Sequence, residues 1–333
     1  KIEIRKHKFS STKINKKINL IYDLKVSPLT YGDVFNFLFL CRYFLINGYK
    51  INYFFIDDAK INSDIKMFNI DRLDFFINDL KNISRDLLDH KNSSLYFYTW
   101  EEFQKNYDNN FNNQITLFEK RVLKRKKIYH FSFKMLNFLL KNSSENIINN
   151  ILLNKEFKKD YQNQIKFDFS KNYITWALRY NNLYGQNRNN TEKEFLEGYQ
   201  LLKNFFPDNE IVVISDVAGT RYFKRISNLY NLNLNFAKDL TKSFIDDALF
   251  ILNSKFHFQF KGGAPSTIAW FSNINYLIFG TRATEKLFLT KKHHNWEKGH
   301  QVWIDIKNFE IFNKEKVEIE FRNFIEKKML KNY

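Results

Sequence analysis

The side chains of this chain that could do chemistry stand mostly just past short apolar runs. Carboxylates come first. Asp23 and Asp33 bracket the loop Asp23 to Gly32, and Asp57-Asp58 follow the run Ile51 to Ile56. A carboxylate in such a place can take a proton from a hydroxyl, and Asp33 is the strongest candidate for that role in the first half. It also reads as a helix N-cap. Asp23 is its rival, and Asp57-Asp58 shows no third ligand for a metal. Cations come next. Arg179 directly follows the strand-like Tyr173 to Leu178, and a guanidinium suits bidentate contact with phosphate. An exposed loop arginine is the plainer reading, and Arg188 is a second candidate. The third stretch is Phe256 to Phe271, which contains Lys261-Gly262-Gly263-Ala264-Pro265-Ser266-Thr267. Phe256, Phe258 and Phe260 alternate with His257 and Gln259, a strand period. Gly262 and Gly263 then supply a turn, and Pro265 suits the first turn of a helix. Free N–H groups at a helix start bind anions, so Gly262, Gly263, Ser266 and Thr267 could hold phosphate oxygens while Lys261 neutralises them. A tight turn, capping hydroxyls and a solvated lysine account for the same residues. Asp216, just past Ile211 to Ser215, could bind a ribose hydroxyl or a base edge, or cap the next helix. His293-His294, Trp296 and His300 make a His-rich loop without metal-ligand spacing. There is no zinc motif, P-loop or nucleophile elbow.

The elements that must position these residues alternate between strand and helix. In the first half, Ile18 to Tyr22 predicts a strand, Asp33 to about Ile46 a helix stopped by Asn47-Gly48, and Ile51 to Ile56 a second strand. That is the opening of a doubly wound sheet. It lacks a G-x-G-x-x-G fingerprint, which disfavours a dinucleotide-binding dehydrogenase. Asp71 to Asp89 predicts a helix and Leu95 to Thr99 a strand. Glu101 to Gln114 gives no clear period, while Phe131 to Lys141 and Glu145 to Tyr161 read as helices. Gln162 to Lys171 is the best boundary, giving domains of residues 1–168 and 169–333, with the last helix free to cross back. In the second half, Thr191 to Phe205 predicts a helix with a Thr191/Glu194 capping box. Ile211 to Ser215 is a strand. Tyr222 to Leu229 and Ser243 to Leu252 are helices, and Ile274 to Phe279 and Glu315 to Lys331 read as a strand and a closing helix. The order argues for an α/β protein of two Rossmann-like domains facing a cleft.

Bulk properties narrow the function classes. The chain has 333 residues, 44% hydrophobic and 27% charged, which is a globular composition. The net charge of +17 points to a polyanionic partner: nucleic acid, an anionic membrane surface or a phosphorylated substrate. A lysine-favouring base composition explains it equally well. The single cysteine, Cys41, excludes an internal disulfide and a cysteine metal cluster, and reads as core. The longest apolar run, Val34 to Ile46, is too short to span a bilayer. The expectation is a cytoplasmic protein with a peripheral contact on the inner face of the membrane.

The second half resembles the donor-binding domain of GT-B glycosyltransferases, more loosely their fucosyltransferase-like branch. Tyr173 to Tyr180 looks like the strand-then-arginine segment that grips the nucleotide diphosphate, with Arg179 in that place but no His-x-Arg before it. Ile211 to Asp216 looks like the next strand with its acidic end. Phe256 to Phe279 looks like the strand, Gly-Gly-x-x-Ser turn, helix and strand that bind the diphosphate, with Lys261 where many members have His. The resemblance covers about residues 170 to 280. It implies transfer of a sugar from a nucleotide-sugar donor to a hydroxyl acceptor, such as a glycan or glycolipid in surface polysaccharide assembly. It implies no bound metal and no cofactor beyond the co-substrate. Positive groups would stabilise the leaving diphosphate, and Asp33 would serve as base if the enzyme inverts. The alternatives are a sugar-nucleotide epimerase of the same fold and a basic nucleic-acid-binding protein.

Overall fold

The structure is a computed structural model that describes residues 17–59, 70–88, 91–110, 115–117, 135–136, 138–140, 143–151, 153, 165–181, 186–261, 263–281, 299–304 and 314–326. Two parallel sheets organise it. The first is built from β1 (Lys17–Asp23), β2 (Lys50–Ile56), β3 (Ser93–Tyr98) and β4 (Ile115–Leu117), in the order β3-β2-β1-β4. The second holds β5 (Tyr173–Ala177), β6 (Glu210–Ile214), β7 (Asn235–Phe236), β8 (Phe256–Phe260), β9 (Tyr276–Thr281) and β10 (Gly299–Ile304), in the order β10-β9-β8-β5-β6-β7. Every pairing is parallel. Parallel neighbours need long crossovers, normally helices, and both sheet faces are therefore covered.

The helices among the described residues are α1 (Tyr31–Ile46), α2 (Ile70–Leu87), α3 (Trp100–Asn110), α4 (Glu145–Ile151), α5 (Glu192–Phe205), α6 (Val217–Leu229), α7 (Phe244–Asn253), α8 (Ala264–Trp270) and α9 (Lys314–Phe324). Glu101 to Gln114, without a period in the sequence, takes in all of α3 except its first residue, Trp100. The expected helix Phe131 to Lys141 falls partly outside the described residues, as does the second part of Glu145 to Tyr161. The short strands β4 and β7 are new, and β10 takes up His300; His293, His294 and Trp296 lie outside the described residues. No described helix is long and apolar enough to cross a membrane.

Alternation in the strands sorts the core. Ile174 and Trp176 of β5 and Phe256, Phe258 and Phe260 of β8 face one side, with Phe195 of α5, Phe223 of α6 and Phe321 of α9. Phe321 packs on Phe205, Phe256 and Phe258, so the described part of the last helix stays on the second sheet. The opposite face carries Tyr173 and Ala177 of β5 against α7 and α8, and it runs on without a break into α1 and the first sheet. Between the halves, Phe39 stacks on Phe271 with centroids 4.0 Å apart, and Tyr31 on Phe244 at 4.7 Å. The buried Asp79 carboxylate accepts the Phe244 N–H at 3.1 Å. Helix α1 is thus wedged between its own sheet and the helices of the second. Cys41 is buried in this core.

Candidate active site

The strand ends and helix starts of the two halves meet at the N-terminus of α1. Thr30 is its N-cap: its hydroxyl oxygen accepts the Asp33 N–H at 3.1 Å and its hydroxyl donates to Asp33 Oδ2 at 2.6 Å. The expected helix start at Asp33 is thereby corrected. Asp33 stands in the first turn, 8% exposed, and its carboxylate is held from one side instead of closing the helix itself. Burial, with the Asp33 charge next in weight, pushes the Tyr22 phenol well above its ordinary range, and the neutral hydroxyl donates to the Pro28 carbonyl at 2.9 Å. Asp23, the rival, is fully buried and folds the loop, its Oδ1 accepting the Lys25 N–H at 2.9 Å. Asp57 is paired with Lys81 at 3.1 Å.

Gly32 carries this loop onto the second half. A Cβ placed there would lie 3.7 Å from Thr267 Oγ1 and 3.8 Å from the Ala264 Cα. A side chain on the residue before Asp33 would therefore touch the turn that follows β8, and glycine lets the two backbones pass close together there. That turn is sharply bent. Lys261 has φ +70 and Gly263 φ +135, a region open to glycine and costly for other residues. The Gly263 carbonyl accepts both the N–H of Ser266 at 3.1 Å and its hydroxyl at 2.5 Å, so Ser266 braces the turn. Thr267 is buried beside Gly32. Gly262 lies outside the described residues. Helix α8 has seven residues, too few for a strong dipole, which moves the weight of any anion binding onto the turn's backbone and its side chains.

Lys261 departs from the expectation of a phosphate-facing cation. Its side chain is buried, its Nζ 2.9 Å from Glu194 Oε1, and it donates to the Asn189 carbonyl at 2.8 Å. Glu194 is the N3 residue of the α5 capping box: its Oε2 accepts the Thr191 N–H at 2.9 Å, and Thr191 Oγ1 accepts the Glu194 N–H at 3.2 Å. The lysine thus ties its strained backbone to the start of α5. Asn189 and Asn190 close the loop after β5. Asn190 Oδ1 accepts the Arg179 N–H at 2.9 Å and its own N–H returns to the Arg179 carbonyl at 2.8 Å. Asn189 exchanges two bonds with the Asn181 backbone, at 2.8 and 2.9 Å. Arg179 therefore leaves β5 with a fixed backbone, half-buried, on the strand next to β8. Arg188 sits in the short 3₁₀ turn Gln186–Arg188. Asp216 is the cap of α6, its Oδ1 accepting the Gly219 N–H at 2.7 Å. It is exposed, one strand over from Arg179.

The structure brings Asp33, Gly263, Ser266 and Thr267 to one place and puts Arg179 and Asp216 on the neighbouring strand ends. Ligands of open α/β sheets bind outside these carboxyl ends. The described residues hold no cluster of three or more His, Cys, Asp or Glu side chains suited to a metal. Sequence reading missed the structural roles of Asn189, Asn190 and Glu194. The capping box was its one legible part, because such motifs are local and the partner of Glu194 is not.

No protein-family model matches the chain, and a search of curated proteins finds no match. Solved structures do match along almost the whole length. A glycosyl transferase of family 9 from Veillonella parvula superposes with a TM-score of 0.52 over 93% of this chain and 97% of its own, at 9% identity. The ADP-heptose LPS heptosyltransferase II of E. coli gives 0.53 over 93% and 98%, also at 9% identity. The chain has the GT-B fold. At that identity the likeness speaks for the fold, and the fold explains why α1 and α8 meet: GT-B places two Rossmann-like sheets so that their carboxyl ends share a space.

Proposed function

We propose that the chain is a glycosyltransferase that moves a sugar from a nucleotide-sugar donor to a hydroxyl acceptor. The observation that carries this reading is the close approach of Gly32 to Ala264 and Thr267, which sets Asp33 beside the turn of β8 and α8. The GT-B fold and the named activities of its solved neighbours support it. In this scheme the donor diphosphate lies at Gly263, Ser266 and Thr267 and is gripped by Arg179. Lys261 shapes the turn from inside, and Asp216 stands near the nucleoside. The leaving diphosphate gains charge as the sugar departs, and fixed donors stabilise that charge without reorganising. Asp33, oriented by Thr30, takes the acceptor proton, which fits inversion at the sugar. The scheme calls for no metal and no cofactor besides the co-substrate. The E. coli neighbour acts in lipopolysaccharide assembly by its name, which suggests a glycan or glycolipid acceptor here. Two domains, residues 1–168 and 169–333, would then take acceptor and donor. A net charge of +17 suits a cytoplasmic enzyme resting on the anionic inner face of a membrane.

The test is a thermal-shift and calorimetric screen against ADP-, GDP-, UDP-, dTDP- and CMP-sugars, with single-stranded DNA as control. A ligand at a hundred times its dissociation constant stabilises by about 2.7 kcal/mol. One nucleotide class should bind, and Arg179→Ala should weaken it about tenfold or more, as expected for a lost charge-assisted contact. Asp33→Asn should bind the donor as the parent does and lose at least about a hundredfold in turnover, the usual share of a general base. Binding of DNA alone, with affinity falling steeply as salt rises, would replace this reading with a nucleic-acid one.

A further inference from the structure

Beneath the turn lies a row of buried polar side chains that no role above uses. Thr175, His257 and Gln259 are 0%, 0% and 2% exposed, all on the face of β5 and β8 that otherwise carries apolar core. Ser254 donates to the Ile251 carbonyl at 2.8 Å, leaving its oxygen as an acceptor for Thr175 Oγ1 at 3.2 Å. Thr175 Oγ1 also lies 2.9 Å from His257 Nδ1, and His257 Nε2 lies 3.3 Å from Gln259 Oε1. The carboxamide nitrogen of Gln259 then comes within 3.4 Å of the place a Cβ would occupy on Gly263. Among the described residues it has no acceptor.

With its carbonyl oxygen beside the His257 ring, the amide has its NH₂ left as the end that can donate to a ligand at the turn. The chemistry of the row decides which end of the amide faces the turn. A neutral imidazole carries one N–H. Burial keeps His257 neutral, its pKa pushed down to about 4. If the Thr175 hydroxyl donates to Nδ1, the proton sits on Nε2, Nε2–H donates to Gln259 Oε1, and the NH₂ is presented at Gly263. If Thr175 donates to Ser254 instead, Nδ1–H donates to Thr175, Nε2 needs a donor, and the amide must reverse to show its carbonyl. A ligand oxygen that only accepts selects the first arrangement. Gln259 pairs with Ala177 across the sheet, two residues before Arg179, so the amide beside Gly263 belongs to the strand next to the one that carries the arginine.

We infer that Gln259 is a donor-binding residue whose NH₂ hydrogen-bonds a diphosphate oxygen of the nucleotide sugar, with His257 and Thr175 as positioning residues that hold the amide in that orientation. The inference rests on the glycosyltransferase reading and adds to it a contact that is neutral, buried and preset.

The experiment titrates ADP, GDP, UDP and CDP into the whole chain and into Gln259→Met, which keeps the volume and removes the donor. The tightest diphosphate should lose about ten- to a hundredfold in affinity, the range for a hydrogen bond to a charged group, with unchanged circular dichroism. Equal affinity in parent and variant overturns the role of Gln259 while leaving the glycosyltransferase reading in place. Failure of the parent to bind any of the four overturns both. Should Gln259→Met not fold, Thr175→Val and nitrogen-15 NMR of the His257 ring decide. With diphosphate bound, the parent should carry its proton on Nε2, and Thr175→Val should weaken binding and alter that ring signal. A proton on Nδ1 in the bound parent overturns the inference.

Discussion

At the scale of single residues, the second sheet places titratable groups where water does not reach, and this has a cost with pH. His257 is neutral in the folded chain, with a pKa near 4 against 6.5 when exposed. Between those values the unfolded chain binds a proton that the folded chain refuses, so stability falls as pH drops through that window and is complete above it. The full loss from this one residue is about 3 kcal/mol. Urea unfolding from pH 7 to pH 4 should show it, and His257→Gln should flatten that part of the profile. A profile unchanged by the substitution would mean the ring titrates normally. The same residue shows what was legible. Its place in an alternating strand could be read from Phe256 to Phe260, because period is local. Its bonds to Thr175 and Gln259 could not, because β5 reaches β8 only through the fold.

At the scale of elements, helix starts were read better than loop ends. The Thr191/Glu194 box appeared as expected, and Ser243 caps α7 in the same way through Asp246. The start of α6 was placed too late, at Tyr222 instead of Val217. Val217, Gly219 and Thr220 have weak helix preference, and the fold overrides it. Asp216 caps the helix, and Gly219 lets it approach β6. A Cβ on Gly219 would lie 2.0 Å from Ser215 Oγ, whose hydroxyl donates to the Leu178 carbonyl and so steadies the strand end before Arg179. Gly219→Ala should therefore destabilise by about 1–3 kcal/mol, the usual cost of overpacking. It should also weaken donor binding by shifting Arg179. Chemical denaturation with a donor titration checks both, and an alanine tolerated in both would mean α6 has room to slide.

At the scale of the whole molecule, the two sheets share one apolar core through α1. The doubly wound plan was readable because strands and helices alternate in both halves with no repeat or long break. The join was not readable, since a sequence run as apolar as Val34 to Ile46 says that α1 is buried without saying against what. It is buried on two sides, and that double burial sets the distance between Asp33 and the β8 turn. The second sheet also has a history built into its strand order. β5 lies between β6 and β8, and Thr175 meets His257 from 82 residues away. As the chain leaves the ribosome, β5 and β6 can pair early, but the other edge of β5 stays open until β8 has been made, and that of β8 until β9 follows. Open strand edges invite wrong partners, and such late pairings fold slowly. Ribosome-bound chains ended near residue 240 should be cut readily by protease and captured by chaperones. Chains extended past residue 304, with a linker to clear the exit tunnel, should become resistant together across both sheets.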